Sequence, residues 1–192
     1  MEHFYTKIQG WFTYPQLYKE MVNTYPSGSK FVEVGSWKGT SAAFMAVEII
    51  NADKNIILDC VDLWTSQDNF LLNIEKEYRD NSHNSEWLYN TFLNNISPVK
   101  HYINPIRSFS NEAASLYKDD SVDFCFIDAA HDYDSVLKDL TAWYPKIKLT
   151  GTFAGHDYPS KEVREAVNDF FRNKPGHIRE TEQCWRFFRT GH

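Results

Sequence analysis

Short apolar runs alternate with segments of helical periodicity along most of the chain. The apolar runs show little alternation with polar residues, as is typical of strands that are buried on both faces. They occupy residues 31–34, 56–61, 101–106, 122–127, 151–155 and 185–189. Because the segments between them carry helical patterns, the strands are expected to be parallel neighbours joined by crossover helices. The pattern predicts one α/β domain over residues 1–192, with a doubly wound, Rossmann-like sheet that is mostly parallel, a C-terminal antiparallel strand, and helices on both faces.

Two segments stand outside this alternation. Residues 1–28 precede the first strand and carry an amphipathic helix over residues 16–25. Residues 65–100 are about three times longer than the dozen residues that a crossover requires. This second segment is rich in asparagine but also carries large apolar residues. We therefore predict a helical insertion over residues 65–100 that forms a lid.

Composition and charge exclude several classes of protein. The formal net charge of −6 argues against a dedicated nucleic-acid binder or a binder of anionic membranes. Cys60, Cys125 and Cys184 are far apart and odd in number, which indicates free thiols in a reducing compartment. The chain has no apolar run of 18 residues and no signal-like N-terminus. The expectation is a cytoplasmic protein without nucleic-acid or membrane partners.

A glycine loop follows the first predicted strand, with Glu33 at its start and Gly35, Ser36, Gly39 and Thr40 after it. Glycines allow a tight turn and a close approach to a ligand, and the next helix offers free N–H groups. The spacing is neither GxGxxG nor GxxxxGK[ST], which disfavours a pyrophosphate or Walker-type phosphate ligand. A ligand with a nucleoside and one carboxylate suits the loop, and a purely structural turn is the alternative.

Acidic residues and histidines end the other predicted strands. Asp62 ends the second strand, where a carboxylate can accept hydrogen bonds from both hydroxyls of a ribose, and the alternative is a helix cap or a solvated acid. Asp128 and His131 follow the fourth strand, and His156 with Asp157 follows the fifth. Two carboxylates can share a divalent cation, and a neutral imidazole is a suitable general base. A capping role for Asp128 and a core role for His156 remain the alternatives.

These motifs together resemble a class I S-adenosylmethionine-dependent methyltransferase. The similarity is greatest to the small O-methyltransferases typified by macrocin-type sugar methyltransferases and the cephalosporin-hydroxylase-like group. It rests on residues 31–44 (FVEVGSWKGTSAAF), 61–64 (VDLW), 121–158 and 163–171 (VREAVNDFF). The block at 121–158 is the most specific of these segments.

The resemblance implies a role for each matching residue. S-adenosyl-L-methionine would be bound by Glu33, Gly35, Ser36, Gly39, Thr40, Asp62, Leu63, Ser108 and Asp128. The catalytic residues would be His131, as the base, and Asp128. A divalent ion, Mg²⁺ or Mn²⁺, would be held by Asp128, His156 and Asp157. Metal-dependent relatives usually have an acidic residue where this chain has His156, so the site would hold Mg²⁺ with fewer protein ligands, another metal, or none.

The function implied is methyl transfer to a hydroxyl of a small molecule, with a sugar or glycoside as the favoured acceptor. A phenolic acceptor of the catechol type and a non-catalytic nucleoside-binding domain are the alternatives. Aromatic residues make up 16% of the chain and are concentrated in residues 1–25 and 64–102. We predict that this surplus forms the lid and acceptor pocket, and exposed aromatic residues at the N-terminus would suit an interface in a homo-oligomer. The residues concerned are Trp11, Phe12, Tyr14, Tyr18, Trp64, Phe70, Trp87 and Phe92.

Overall fold

A computed structural model describes residues 1–65, 73 and 75–190. Within these residues a seven-stranded sheet has the order β3-β2-β1-β4-β5-β7-β6. Its strands are β1 Lys30–Val34, β2 Ile57–Asp62, β3 Ile103–Arg107, β4 Val122–Ile127, β5 Ile147–Gly155, β6 Gly176–Thr181 and β7 Cys184–Arg189. The first five strands are parallel, β7 is antiparallel to β5, and β6 is antiparallel to β7. The predicted fold class is confirmed.

Helices cover both faces of the sheet. They are α1 Pro15–Thr24, α2 Thr40–Asn51, α3 Lys76–Asn81, α4 Trp87–Ile96, α5 Ser110–Ala114, α6 Tyr133–Trp143 and α7 Lys161–Phe171. Successive residues of a strand point to opposite faces. Accordingly, Phe31 of β1 belongs to the hydrophobic cluster that contains buried residues of α1, α2 and α4, and Val32 belongs to the cluster with α5, α6 and α7. Of the described helices, none has the length and apolar character needed to cross a membrane.

The C-terminal part of the sheet is larger than predicted. One antiparallel strand was expected over residues 185–189, whereas the structure has the hairpin β6–β7. Strand β6 is largely exposed, so it lacks an apolar run. Its turn places Glu182 and Gln183 at positive φ without the Asn-Gly or Asp-Gly pair that usually indicates such a hairpin. The sequence therefore contained neither an apolar run for β6 nor a turn motif for the hairpin.

The described part of the predicted insertion at 65–100 contains α3, α4 and the start of a 3-10 segment over Ser97–Tyr102. Phe70 lies outside the described residues. The assignment of the aromatic surplus to an acceptor pocket was wrong for Tyr18, Trp64 and Phe92, which are fully buried in the core. Trp11, by contrast, is 55% exposed. Cys60, Cys125 and Cys184 are free thiols, as expected, and all three are buried.

Candidate active site

Four neighbouring strands end in the residues that the sequence singled out. The sheet order places β2, β1, β4 and β5 side by side. Val34 pairs with both Val61 and Ile127, and Ile127 pairs with Gly155. The loop after β1 and the residues that end or follow the other three strands therefore share one edge of the sheet. Ligands of open parallel sheets bind at this edge, beside the point where the strand order reverses.

Gly35 brings the loop after β1 into direct contact with the end of β4. Its φ is +90°, and a Cβ atom there would lie 1.9 Å from the carbonyl oxygen of Asp128. Gly39 has a φ of +88° at the start of α2, where a Cβ atom would lie 2.9 Å from Ile96 Cγ2. Only glycine readily adopts this backbone conformation and, because it has no Cβ atom, also fits the space that the neighbouring atoms leave. The predicted glycine loop is thus required by the packing as well as available for a ligand.

Asp62 holds this loop in place. Its Oδ2 atom accepts hydrogen bonds from the backbone N–H groups of Ser36 and Trp37, at 2.9 and 2.8 Å, and Oδ1 accepts from Trp64 N at 2.7 Å. Burial raises the pKa of Asp62, and these N–H donors partly offset the shift. A carboxylate has about four lone-pair sites. The predicted contact with a ribose would therefore be made by a carboxylate that already fixes the loop.

Glu33 is a fully buried acid beside the loop. The Tyr18 hydroxyl donates to Oε2 at 2.6 Å, whereas no described residue donates to Oε1. The hydroxyl of Ser36 is also buried without a partner among the described residues. Burial raises the pKa of Glu33 to about 7, against the opposing effect of the Tyr18, Ser36 and Ser41 hydroxyls. Buried polar atoms are nearly always hydrogen-bonded, so this acceptor and this hydroxyl can pair with each other or with a polar group of a ligand.

Glu33→Gln is expected to flatten the pH dependence of stability. Because folding raises the pKa of Glu33 from 4.5 to about 7, its contribution is fully present below pH 4.5 and is lost as the pH rises through 7. Glutamine has the same shape but does not titrate. The free energy of unfolding, measured with urea, should fall between about pH 5 and about pH 8 by about 2–3 kcal/mol more in the wild type than in the variant.

The control for this measurement is Glu162→Gln, which changes an exposed carboxylate in the first turn of α7. This control should keep the wild-type dependence. An equal loss of stability in Glu33→Gln and the wild type would show that Glu33 does not titrate as the burial indicates.

The ends of β4 and β5 form an acid–imidazole cluster of Asp128, His131, His156 and Asp157. His131 Nε2 lies 2.9 Å from Asp157 Oδ2, and His156 Nδ1 lies 3.2 Å from the same oxygen. His156 Nδ1 is also 3.6 Å from Asp128 Oδ1. One ligand atom from each of Asp128, His131 and Asp157 can be chosen so that all lie within 4.8 Å of one another. The structure thus brings together all four residues of the two strand ends.

The charges of this cluster stabilise one another. The contact with Asp157 raises the pKa of His131, against a smaller opposing effect of burial. Burial lowers the pKa of His156, but the carboxylates of Asp128 and Asp157 outweigh it and raise the value to about 9. Burial acts to raise the pKa of Asp157, but the two histidines hold it well below its usual range. The cluster therefore favours imidazolium next to carboxylate.

The N-terminal segment supplies two contacts to the cluster that the sequence did not reveal. The Tyr14 hydroxyl donates to Asp128 Oδ2 at 2.7 Å, and Thr13 Oγ1 lies 3.0 Å from His156 Nε2. These partners are 114 and 143 residues apart along the chain. No local pattern links positions so distant, and Thr13 was not a candidate. Tyr14 was assigned to the acceptor pocket, whereas it is a buried partner of Asp128.

The remaining predicted cofactor residues lie at the start of α2 and after β2 and β3. Thr40 Oγ1 donates to Gln9 O at 3.0 Å, so this hydroxyl holds the N-terminal segment. Leu63 follows β2 and is 37% exposed. Ser108 follows β3, and its backbone N–H donates to Asp62 O at 3.1 Å. Leu63 and Ser108 are thus at adjacent strand ends, and the resemblance implies that Ser108 lies by the adenine of the cofactor.

Solved structures with this fold include several methyltransferases. A putative caffeoyl-CoA O-methyltransferase from Staphylococcus aureus has 13% identity and a TM-score of 0.59, covering 96% of this chain and 87% of its own. CalS11, a TDP-rhamnose 3'-O-methyltransferase of calicheamicin biosynthesis, has 10% identity and a TM-score of 0.58, covering 92% and 76%. A putative methyltransferase from Streptococcus mutans in complex with SAH has 7% identity and a TM-score of 0.55, covering 94% and 100%.

At sequence identities of 7–13%, the similarity to these solved structures shows the fold alone. No curated protein matches the sequence. The family model described as "Methyltransferase domain" matches residues 32–158, which is more than half of the chain and includes the glycine loop, Asp62 and the acid–imidazole cluster. The resemblance inferred from the sequence is confirmed, and the chain belongs to this methyltransferase domain family.

Proposed function

We propose that the protein transfers the methyl group of S-adenosyl-L-methionine to a hydroxyl of a small molecule, with a sugar or glycoside as the acceptor. One observation carries this proposal: the glycine loop, with the unsatisfied acceptor of Glu33, lies at the same sheet edge as the acid–imidazole cluster. The structures with this fold support it, since one contains SAH and another is a sugar O-methyltransferase.

The residues of the loop fit this cofactor. Glu33 Oε1 is a buried acceptor without a described donor, and the ammonium group of the methionine part would supply one. The exposed side chain of Leu63 offers an apolar surface for the adenine, next to Ser108. The bound cofactor supplies a methyl group already activated on a sulfonium, so the protein's task is to position and deprotonate the acceptor.

His131 is suited to deprotonate the acceptor. Its side chain is about half exposed, so a hydroxyl can reach it, and Nε2 faces Asp157 Oδ2 at 2.9 Å. In the reaction, the acceptor oxygen forms a bond to the methyl carbon as the sulfur–carbon bond breaks. The hydroxyl proton passes to His131, and the carboxylate of Asp157 stabilises the imidazolium that results.

A divalent ion is a second way to activate the hydroxyl. Asp128, His131 and Asp157 have ligand atoms close enough together to hold one. The ligand set proposed from the sequence used His156 instead, but the two nitrogens of His156 face Thr13 and the two carboxylates. Mg²⁺ or Mn²⁺ would lower the pKa of a bound hydroxyl. In that case His131 would be a ligand rather than a base.

A phenolic acceptor is the second candidate, and one observation is compatible with it. The rings of Trp11 and Trp37 stack at 4.8 Å, and Trp11 is 55% exposed. Such a flat aromatic face can stack on a phenolic ring as well as on the C–H face of a sugar. Both acceptor classes therefore present a face that this aromatic surface can stack on.

Calorimetry with S-adenosyl-L-methionine is expected to show binding, because the loop offers an unsatisfied acid for its ammonium group. 5'-Methylthioadenosine, which lacks the amino-acid part, should bind at least about tenfold more weakly. Each titration is repeated with Mg²⁺ and with Mn²⁺, and labelled cofactor is then used to follow methyl transfer to a panel of sugars and phenols.

Three outcomes are informative. No heat with the cofactor would remove the proposed function. Transfer only to phenols would replace the sugar by the second candidate. Full activity in the presence of EDTA would show that the acid–imidazole cluster acts without a metal ion.

A further inference from the structure

We infer that Thr13 and Tyr14 are positioning residues of the methyl-transfer site, whose hydroxyls fix Asp128 and His156 and, through His156, the Asp157–His131 pair. The inference rests on the proposed function for its catalytic meaning. It also concerns a part of the chain that precedes residues 32–158, over which the family model matches. The family assignment alone therefore gives these two residues no role.

Tyr14 is packed against the end of β4. It is 1% exposed, and its ring lies 4.5 Å from that of Phe126 and 4.9 Å from that of His156. Its hydroxyl therefore reaches Asp128 Oδ2 from a fixed direction, at 2.7 Å. Burial, together with the nearby charges of Asp128 and Glu33, raises the pKa of Tyr14 well above its usual value, so the phenol keeps the proton that it donates. One oxygen of Asp128 is thereby turned towards Tyr14.

Thr13 begins a chain of polar contacts that ends at the proposed base. Its Oγ1 atom lies 3.0 Å from His156 Nε2, His156 Nδ1 lies 3.2 Å from Asp157 Oδ2, and that oxygen lies 2.9 Å from His131 Nε2. The imidazole of His156 is almost fully buried and can make a polar contact through each nitrogen. Thr13 thus fixes the ring orientation that presents Nδ1 to Asp157.

The segment that carries these hydroxyls is anchored on the glycine loop. Gln9 accepts a hydrogen bond from Thr40 Oγ1 through its backbone oxygen, at 3.0 Å, and one from Lys38 Nζ through its side chain, at 2.6 Å. Trp11 stacks on Trp37. Two residues beyond Trp11, the chain reaches the acid–imidazole cluster. The N-terminal segment is therefore attached both to the cofactor loop and to the proposed catalytic residues.

The test uses Tyr14→Phe and Thr13→Val, which remove only the polar contacts. Thr13→Ser is the conservative variant, because serine keeps a hydroxyl at this position. We expect kcat to fall between about tenfold and hundredfold in the first two variants, because a small displacement of a catalytic group is costly. In Thr13→Val, whose lost contact is with His156, the Kd for S-adenosyl-L-methionine should stay at the wild-type value. Thr13→Ser should keep most of the wild-type kcat that Thr13→Val loses.

Tyr25→Phe is the matched control, since Tyr25 is a buried tyrosine whose hydroxyl contacts Thr152, away from the cluster. It should change stability without changing kcat. The ¹⁵N resonances of the His156 and His131 rings provide a readout that does not need turnover. They should shift in Tyr14→Phe and Thr13→Val but not in Tyr25→Phe.

The outcomes separate this inference from the proposed function. Unchanged kcat in both variants, with cofactor still bound, would overturn the positioning role. Unchanged histidine resonances would overturn it even if no methyl acceptor is found. Absence of cofactor binding by the wild type would instead remove the proposed function, and a shift of the resonances would still support the positioning of the cluster.

Discussion

Gly35→Ala should cost more than about 4 kcal/mol of stability, enough to unfold many single domains. The Cβ atom of alanine would lie 1.9 Å from the carbonyl oxygen of Asp128 and 2.8 Å from the Cα atom of Ala129. These neighbours are backbone atoms between β4 and its following loop, so they cannot rotate away as a side chain can. Either the loop after β1 or the end of β4 must move, and both carry proposed site residues. Methyl transfer is therefore expected to be lost as well.

Gly28→Ala is the control that separates packing from backbone strain. Gly28 has a φ of +85°, close to that of Gly35, but apart from its chain neighbours no heavy atom of the described residues lies within 4 Å of its Cβ position. Its replacement should cost about 1–2 kcal/mol, which is the strain of a left-handed conformation. Urea unfolding of both variants gives the comparison. Equal losses would show that the contact with Asp128 does not constrain Gly35.

The sequence was sufficient to predict the elements of the site that depend on local pattern. An apolar run that ends in Glu33 and Gly35 indicates both a buried strand and the loop that follows it. Runs that end at Asp62 and Asp128 indicate the same for β2 and β4. Because the carboxyl ends of parallel strands share one edge, the convergence of these residues followed from the predicted fold.

Contacts between distant segments were beyond the reach of such patterns. Tyr14 and Trp64 are aromatic residues in segments that precede or interrupt the alternation, and their burial depends on how those segments return to the sheet. The hydrogen bonds of Asp62 to Ser36 and Trp37 likewise depend on the conformation of the loop. Residue type alone cannot distinguish a carboxylate that binds a ligand from one that holds a loop.

His131→Ala is expected to lower kcat by about 10²–10⁴-fold, which is the usual contribution of a general base. The cofactor affinity should stay near the wild-type value, because His131 is not among the residues that would bind the cofactor. In the wild type, Asp157 raises the pKa of His131, so kcat/KM should rise with pH and reach half its maximum above pH 6.5. This rise should be absent from any residual activity of the variant.

His101→Ala is the control, since His101 is exposed at the opposite, amino end of β3. It should leave both kcat and the pH profile unchanged. If His131→Ala retains wild-type turnover, His131 is not the base, and metal activation by Asp128 and Asp157 becomes the remaining way to deprotonate the acceptor at this cluster. Loss of activity in His131→Ala that Mn²⁺ at high concentration restores would identify His131 as a metal ligand instead, because a weakened site is filled by mass action whereas a missing base is not. The same variant thus distinguishes the two mechanisms that the geometry of the cluster allows.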